Sequence, residues 1–116
     1  MSSNQQPLNW SEFERVEMRV GTIISAHVFE EARNPAYKLS IDFGPEIGIR
    51  KSSAQITHHY RLEDLMGKQV IAVVNFPPKQ IGPFMSECLV LGAVNADKSV
   101  ILLQPERKTE NGTQIG

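Results

Sequence analysis

Residues Asn75 to Gly92 read NFPPKQIGPFMSECLVLG, and the reading of this stretch decides the fold. It joins two short apolar runs, Val70–Val74 and Cys88–Leu91, rich in Val, Ile and Leu. Each is too short for a buried helix, so each is expected to be a strand with apolar residues on both faces. The connection carries Pro77, Pro78, Gly82 and Pro83. Prolines fix φ and remove backbone donors, so a stiff loop that stays out of the sheet is expected. Asn75, Lys79, Gln80, Ser86 and Glu87 place polar groups at its ends and middle, as in a binding loop held by a rigid scaffold.

Upstream, Asn9 with Glu12, or Ser11 with Glu14, makes a capping-box pattern, and Trp10, Phe13 and Val16 recur on one helical face. A short helix to about residue 15, plugging the end of the core, is expected. Glu17–Phe29 is a long strand interrupted by Gly21, where a bulge or bend would let it serve two sides of a small barrel. Glu30–Ala36 reads as a loop around Asn34-Pro35. Tyr37–Phe43 then alternates cleanly, with Leu39, Ile41 and Phe43 inward and Lys38, Ser40 and Asp42 outward. After a Gly44-Pro45 turn, Ile47 and Ile49 begin a third strand ending in Arg50-Lys51-Ser52-Ser53. Ala54–Leu65 reads as helical, in one piece or two, with Thr57 as cap and Gly67 as stop. Downstream of the proline loop, Asn95–Ser99 turns the chain into a last strand, Val100–Leu103, and a polar tail follows from Gln104.

Three strands, a helix and two or three further strands is the order of an OB-fold, a small, partly open barrel. The expectation is therefore an all-β chain with short helices: a five-stranded β-barrel, an N-terminal helix and a C-terminal extension. In that fold, the loops at Glu30–Ala36 and Phe76–Ser86 flank the binding face. A length of 116 residues suits one domain spanning 1–116. Its polar first residues, 1–8, are expected to be disordered.

No apolar run is long enough to cross a membrane, and the N-terminus MSSNQQPLNW lacks the pattern of a signal peptide, which points to the cytoplasm. The one cysteine, Cys88, cannot form an internal disulfide and reads as a core thiol. His58-His59 lacks further ligands at a metal-binding spacing, so no metal or other cofactor is expected; His27 sits alone in its strand. No phosphate-cradling glycine loop, serine elbow or cysteine pair occurs, and no catalytic residue is assigned.

What remains is a binding surface. Net charge is −1, yet Arg33–Lys79 carries seven Lys or Arg against four acids. If the barrel forms, Lys38, Arg50, Lys51 and Lys79 converge as phosphate partners, while Ser52, Ser53, Asn75 and Ser86 offer hydrogen bonds to sugars or base edges. The same residues would also serve as an ordinary solvated surface. The outer faces of Val70–Val74 and Cys88–Leu91 need a cover that a small barrel cannot supply, and a two-fold partner is the expected one.

A family resemblance adds to this. Phe13 with Val16, MRVGTI from Met18 to Ile23, Tyr37-Lys38-Leu39 with Asp42 and Gly44, Ser53-Ala54, Leu65-Met66-Gly67-Lys68, Asn75 and Ser86-Glu87 together resemble the tRNA-binding domains that accompany aminoacyl-tRNA synthetases. NFPPKQIG and SECLVLG look most like the branch of export-related bacterial chaperones. The resemblance spans residues 10–116 and implies an OB-fold, a homodimer, and binding of tRNA by shape. For the chaperone branch it also implies the holding of unfolded precursor proteins, with the export translocase as a further partner; the alternative is a pure tRNA-binding module acting in trans with synthetases. Asn75 and Ser86 match positions that contact RNA in the tRNA-binding relatives. Those relatives usually carry Gly and Met where this chain has Cys88 and Leu89, and a more basic loop. Here Phe76, Ile81, Phe84 and Met85 offer apolar surface suited to a peptide groove.

Overall fold

The computed structural model describes residues 6–116. The expectation of disorder over 1–8 falls for residues 1–5 outside that range; residues 6–8 are exposed and lack regular structure. The described chain runs α1 (Trp10–Glu14), β1 (Met18–Val28), β2 (Tyr37–Asp42), β3 (Ile49–Ala54), α2 (Leu62–Leu65), β4 (Gln69–Val73), β5 (Lys79–Ile81), β6 (Phe84–Ser86), β7 (Leu89–Val90), β8 (Gly92–Val94) and β9 (Val100–Leu102). An antiparallel sheet in the order β3-β2-β1-β4-β7 curls into a nearly closed, OB-fold-like barrel, with β5-β6 and β8-β9 as separate two-stranded ribbons.

Period-two alternation builds the core. Ile23, Leu39 and Ile41 from the first two strands, with Phe43 just past β2, meet Val70 and Ala72 from the fourth and Val74 just past it, with Ile56, Leu65, Cys88 and Leu102 closing the ends. Full burial of each large side chain contributes about 1.5–3 kcal/mol. β1 does serve two sides of the barrel, pairing β4 through Met18–Thr22 and β2 through Thr22–Val28. Gly21, however, is not where it bends: the register slips between Ile23 and Ser25. Gly21 is a close-approach glycine instead, since a Cβ there would lie 2.6 Å from Ile41 Cγ2 and 2.7 Å from the Phe43 ring.

Of the two capping patterns at the N-terminus, Asn9 with Glu12 is the one formed. Glu12 N–H donates to Asn9 Oδ1 at 3.0 Å, and Asn9 N–H to Glu12 Oε1 at 3.1 Å. The helix is not a plug: none of its residues is buried, and Trp10 is 81% exposed. The helical reading of Ala54–Leu65 also shrinks, to the four residues of α2. Ala54 is still in β3, paired with Tyr37, and Thr57 caps nothing. Ile56 and Tyr60 carry the helix-like spacing because both fill the core from irregular backbone. Tyr60 O accepts from the Tyr37 hydroxyl at 2.7 Å, and the Tyr60 hydroxyl accepts Leu102 N–H at 3.0 Å.

The polar tail becomes a strap along the start of β1. Val20 N–H donates to Thr113 O, Gly112 N–H to Val20 O and Ile115 N–H to Met18 O, at 3.0, 2.7 and 2.9 Å. Arg19 donates to Gly112 O at 2.9 Å, Thr22 to Asn111 Oδ1 at 2.7 Å, and Gln69 to Thr109 O at 2.7 Å. Val20 and Val73, buried outside the main core cluster, show that the second face of β1 and β4 is covered within the chain. The expectation that β4 needs a partner subunit for that face is corrected accordingly.

Candidate nucleic-acid interface

Residues directly opposite in an antiparallel pair project to one face. Ile41 with Arg50 and Leu39 with Ser52 therefore point inward, whereas Lys38 with Ser53 and Ser40 with Lys51 point outward. Across the other edge of β2, His27 stands opposite Lys38 and Ser25 opposite Ser40. The outer face of β1-β2-β3 thus gathers His27, Lys38, Lys51 and three serine hydroxyls. Its two lysines are diagonal neighbours, about 7–8 Å apart at the backbone. His27, which the sequence leaves isolated, becomes legible once β1 is placed in register with Lys38.

Arg50 does not converge with them. It turns in and donates to Val74 O at 3.1 Å, bracing the end of β4. Each outer lysine lies over an aromatic ring: Lys38 Nζ is 5.5 Å from the centre of Phe29 and Lys51 Nζ 5.4 Å from that of Phe84. The rings themselves pack at 5.4 Å. This contact holds the β5-β6 ribbon against the β1–β2 loop and leaves Phe84 only half-buried beside Phe29 rather than freely displayed. Among the described residues no carboxylate lies within 4.0 Å of the ammonium group of Lys38, Lys51 or Lys79, although the Glu87 carboxylate accepts the backbone N–H of Lys51.

The proline loop stays out of the main sheet, as its sequence requires, but folds on itself. β5 and β6 pair Lys79 with Ser86 and Ile81 with Phe84 around Gly82-Pro83, where Gly82 takes φ +56°. Alternation sends Lys79, Ile81, Phe84 and Ser86 to one side of the ribbon and Gln80 with exposed Met85 to the other. Phe76, Ile81, Phe84 and Met85 therefore do not line one groove. Of the four, Phe76 lines the apolar cleft of about 500 Å³ beneath the ribbon, together with Pro77, Pro78, Lys79, Ser86, Cys88 and Leu89.

Asn75 and Ser86 use their polar atoms within the chain. Asn75 Oδ1 accepts Glu17 N–H at 3.0 Å, and Asn75 Nδ2 donates to Arg15 O at 2.6 Å. That amide fixes the junction of α1 with β1 against the end of β4. Ser86 Oγ accepts Ser53 N–H at 3.2 Å. Beside it, Glu87 N–H donates to Lys51 O at 2.7 Å, Lys51 N–H to Glu87 Oε1 at 2.9 Å, and the Ser52 hydroxyl to Cys88 O at 3.0 Å. The Ser86-Glu87-Cys88 segment thereby closes the barrel along the edge of β3. Burial pushes the Cys88 thiol up to about 12, so the floor of the cleft carries no negative charge.

The family model described as "Putative tRNA binding domain" matches residues 18–114. The methionine–tRNA ligase of Methanococcoides burtonii is 34% identical over 108 residues, 93% of this chain and 16% of the ligase. That of Bacteroides fragilis is 30% identical over the same length, so the chain spans only a small part of these curated relatives. Among solved structures, the chaperone CsaA from Bacillus anthracis str. Ames matches at a TM-score of 0.90 and 50% identity, covering 96% of this chain and 100% of that one. The CsaA chaperone protein from Picrophilus torridus matches at 0.89 and 49%, covering 95% and 100%. The MetRS related protein from Pyrococcus horikoshii matches at 0.85 and 26%, covering 97% and 100%.

Proposed function

The chain belongs to the tRNA-binding domain family, and from that premise we propose that it binds tRNA by charge and shape on the outer face of β1-β2-β3. It acts in the cytoplasm as a homodimer that doubles this surface, and it carries out no chemistry of its own. The observation that carries the reading is the pairing of Lys38 and Lys51 on one face beside His27, Ser40 and Ser53, with neither ammonium group in an ion pair. Folded RNA is read through phosphates and 2′-hydroxyls, and such a row supplies cations for the first and hydroxyl partners for the second. Lys79 extends the row on the ribbon. Val94, Ile101 and Leu103, each at least 41% exposed, supply apolar surface for the second subunit.

The test is a titration of labelled tRNA at several salt concentrations, with light scattering on the same sample. Affinity falling by about two to three orders of magnitude between 50 and 200 mM salt, with roughly four to six phosphates neutralised per dimer, is expected. A flat response removes the proposed face.

A second reading, holding unfolded precursor proteins before export, draws on the exposed Phe76 and Leu89 at the cleft and on the likeness to proteins named as chaperones. An unfolded precursor kept from aggregating, at a strength that moderate salt leaves unchanged, supports it.

A further inference from the structure

The cleft beneath the β5-β6 ribbon adjoins the outer lysine face through Lys79 and lies between the Phe76–Lys79 segment and the Ser86–Leu89 segment. Its volume of about 500 Å³ falls in the range of small-molecule sites. The lining is an aromatic ring, two pyrrolidine rings and a leucine, with polar groups confined to Lys79, Ser86 and Cys88.

Those polar groups restrict the occupant. Lys79 offers three donors and no acceptor, and no Asp or Glu lines the cleft. The Cys88 thiol is protonated, and the Ser86 oxygen, holding Ser53 N–H, keeps one lone pair spare. The cleft is therefore cationic at its rim, neutral at its floor and apolar on its walls. An extended peptide binds such a place by adding a strand, which needs backbone donors and acceptors in alternation. Pro77 and Pro78 have no N–H to give, so the wall offers an incoming strand little to pair with. A flat apolar ring carrying an anion needs no ladder. Phe76, 55% exposed, presents a face on which such a ring stacks.

We propose that this cleft is a slot for one unpaired nucleotide of the bound RNA, its base against Phe76 and Leu89 and its phosphate on Lys79. The inference rests on the RNA reading above and adds to it a point at which a single looped-out base, rather than the duplex surface, is held. Lys38 and Lys51 give affinity without sequence, whereas a slot that closes on one base gives register and a preference among bases.

The experiment follows the backbone amides of the full ¹⁵N-labelled chain while AMP, CMP, GMP, UMP, ribose 5-phosphate and an apolar pentapeptide are added in turn. At least one mononucleotide is expected to shift Phe76, Lys79, Ser86 and Leu89 saturably, and ribose 5-phosphate to move Lys79 alone. Two variants, Leu89→Trp to fill the slot and Phe76→Ala to remove the stacking face, should each weaken tRNA roughly tenfold or more. Light scattering on both checks that the oligomer is unchanged, and a variant that alters it yields to the other. Mononucleotides that leave these amides unmoved, or a peptide that moves them when nucleotides do not, overturn the slot. So does parent-like tRNA binding by a folded variant, in which case the outer-face reading stands alone. Parent protein that binds no tRNA at all removes the wider reading and the slot's place in it.

Discussion

The hydroxyl of Ser86 accepts the backbone N–H of Ser53 at 3.2 Å, across 33 residues of chain. A side chain here occupies the place a neighbouring strand would take, because β7 is only Leu89–Val90 and cannot run along β3. The serine that the family resemblance offers as an RNA contact is thus also part of the wall.

Ser86→Ala leaves the half-buried Ser53 N–H without its partner, at a cost of about 1–3 kcal/mol. In urea denaturation the midpoint should fall with little change in slope. A midpoint equal to the parent's, together with weaker tRNA binding, would return Ser86 to the role of ligand contact alone.

Gly21→Ala should be among the most destabilising single-methyl changes in the chain. The added Cβ meets Ile41 Cγ2 at 2.6 Å and the Phe43 ring at 2.7 Å, and both neighbours are fully buried. Overpacking of this kind costs about 1–3 kcal/mol, read as a drop in thermal midpoint. A parent-like midpoint would mean that β1 can shift away from β2 at little cost.

The cations of β2 and β3 should separate by consequence. Lys38→Ala and Lys51→Ala, each removing one lysine from both subunits, should each lower the salt dependence of tRNA binding by about two units in the logarithmic slope, with stability nearly unchanged. Arg50→Ala should leave that slope alone and cost about 1.5–3 kcal/mol of stability, since it loses the charged hydrogen bond to Val74 O. Equal effects of the three on the slope would contradict the inward placement of Arg50.

Cys88 should stay unlabelled by a thiol reagent at pH 8 until urea unfolds the chain. Burial raises its pKa from 9.0 to about 12. A thiol so raised adds stability that is whole below its unfolded value and is lost as pH climbs from there toward the folded one. Alkaline unfolding is therefore expected to begin above about pH 9, and Cys88→Ala should reduce that dependence. Rapid labelling of folded protein at pH 8 would contradict the burial.

The barrel was legible where periodicity is strong. The alternation through Tyr37–Phe43 assigns Leu39, Ile41 and Phe43 to the core, and all three are at most 1% exposed. The outward lysines follow from the same period. Less legible was what polar residues do at loop ends, because Asn75 and Ser86 look alike in sequence whether they face a ligand or the chain's own backbone. The strap was invisible for a related reason: Gln104–Gly116 has no apolar period, and its attachment to β1 runs through main-chain and polar side-chain bonds. The false helix at Ala54–Leu65 arose because Ile56 and Tyr60 are four apart, a spacing that irregular backbone can satisfy as well.

The strap also sets an order of assembly. Residues 18–22 obtain their last partners from residues 111–115, some ninety positions later, so the β1 edge stays open throughout synthesis until those residues emerge from the ribosome. Closing so long a loop is slow relative to hairpin formation, and an open edge is a template for pairing with another nascent chain. Chains halted before residue 111 should consequently gather into aggregates, while the same chains extended through residue 116 remain apart.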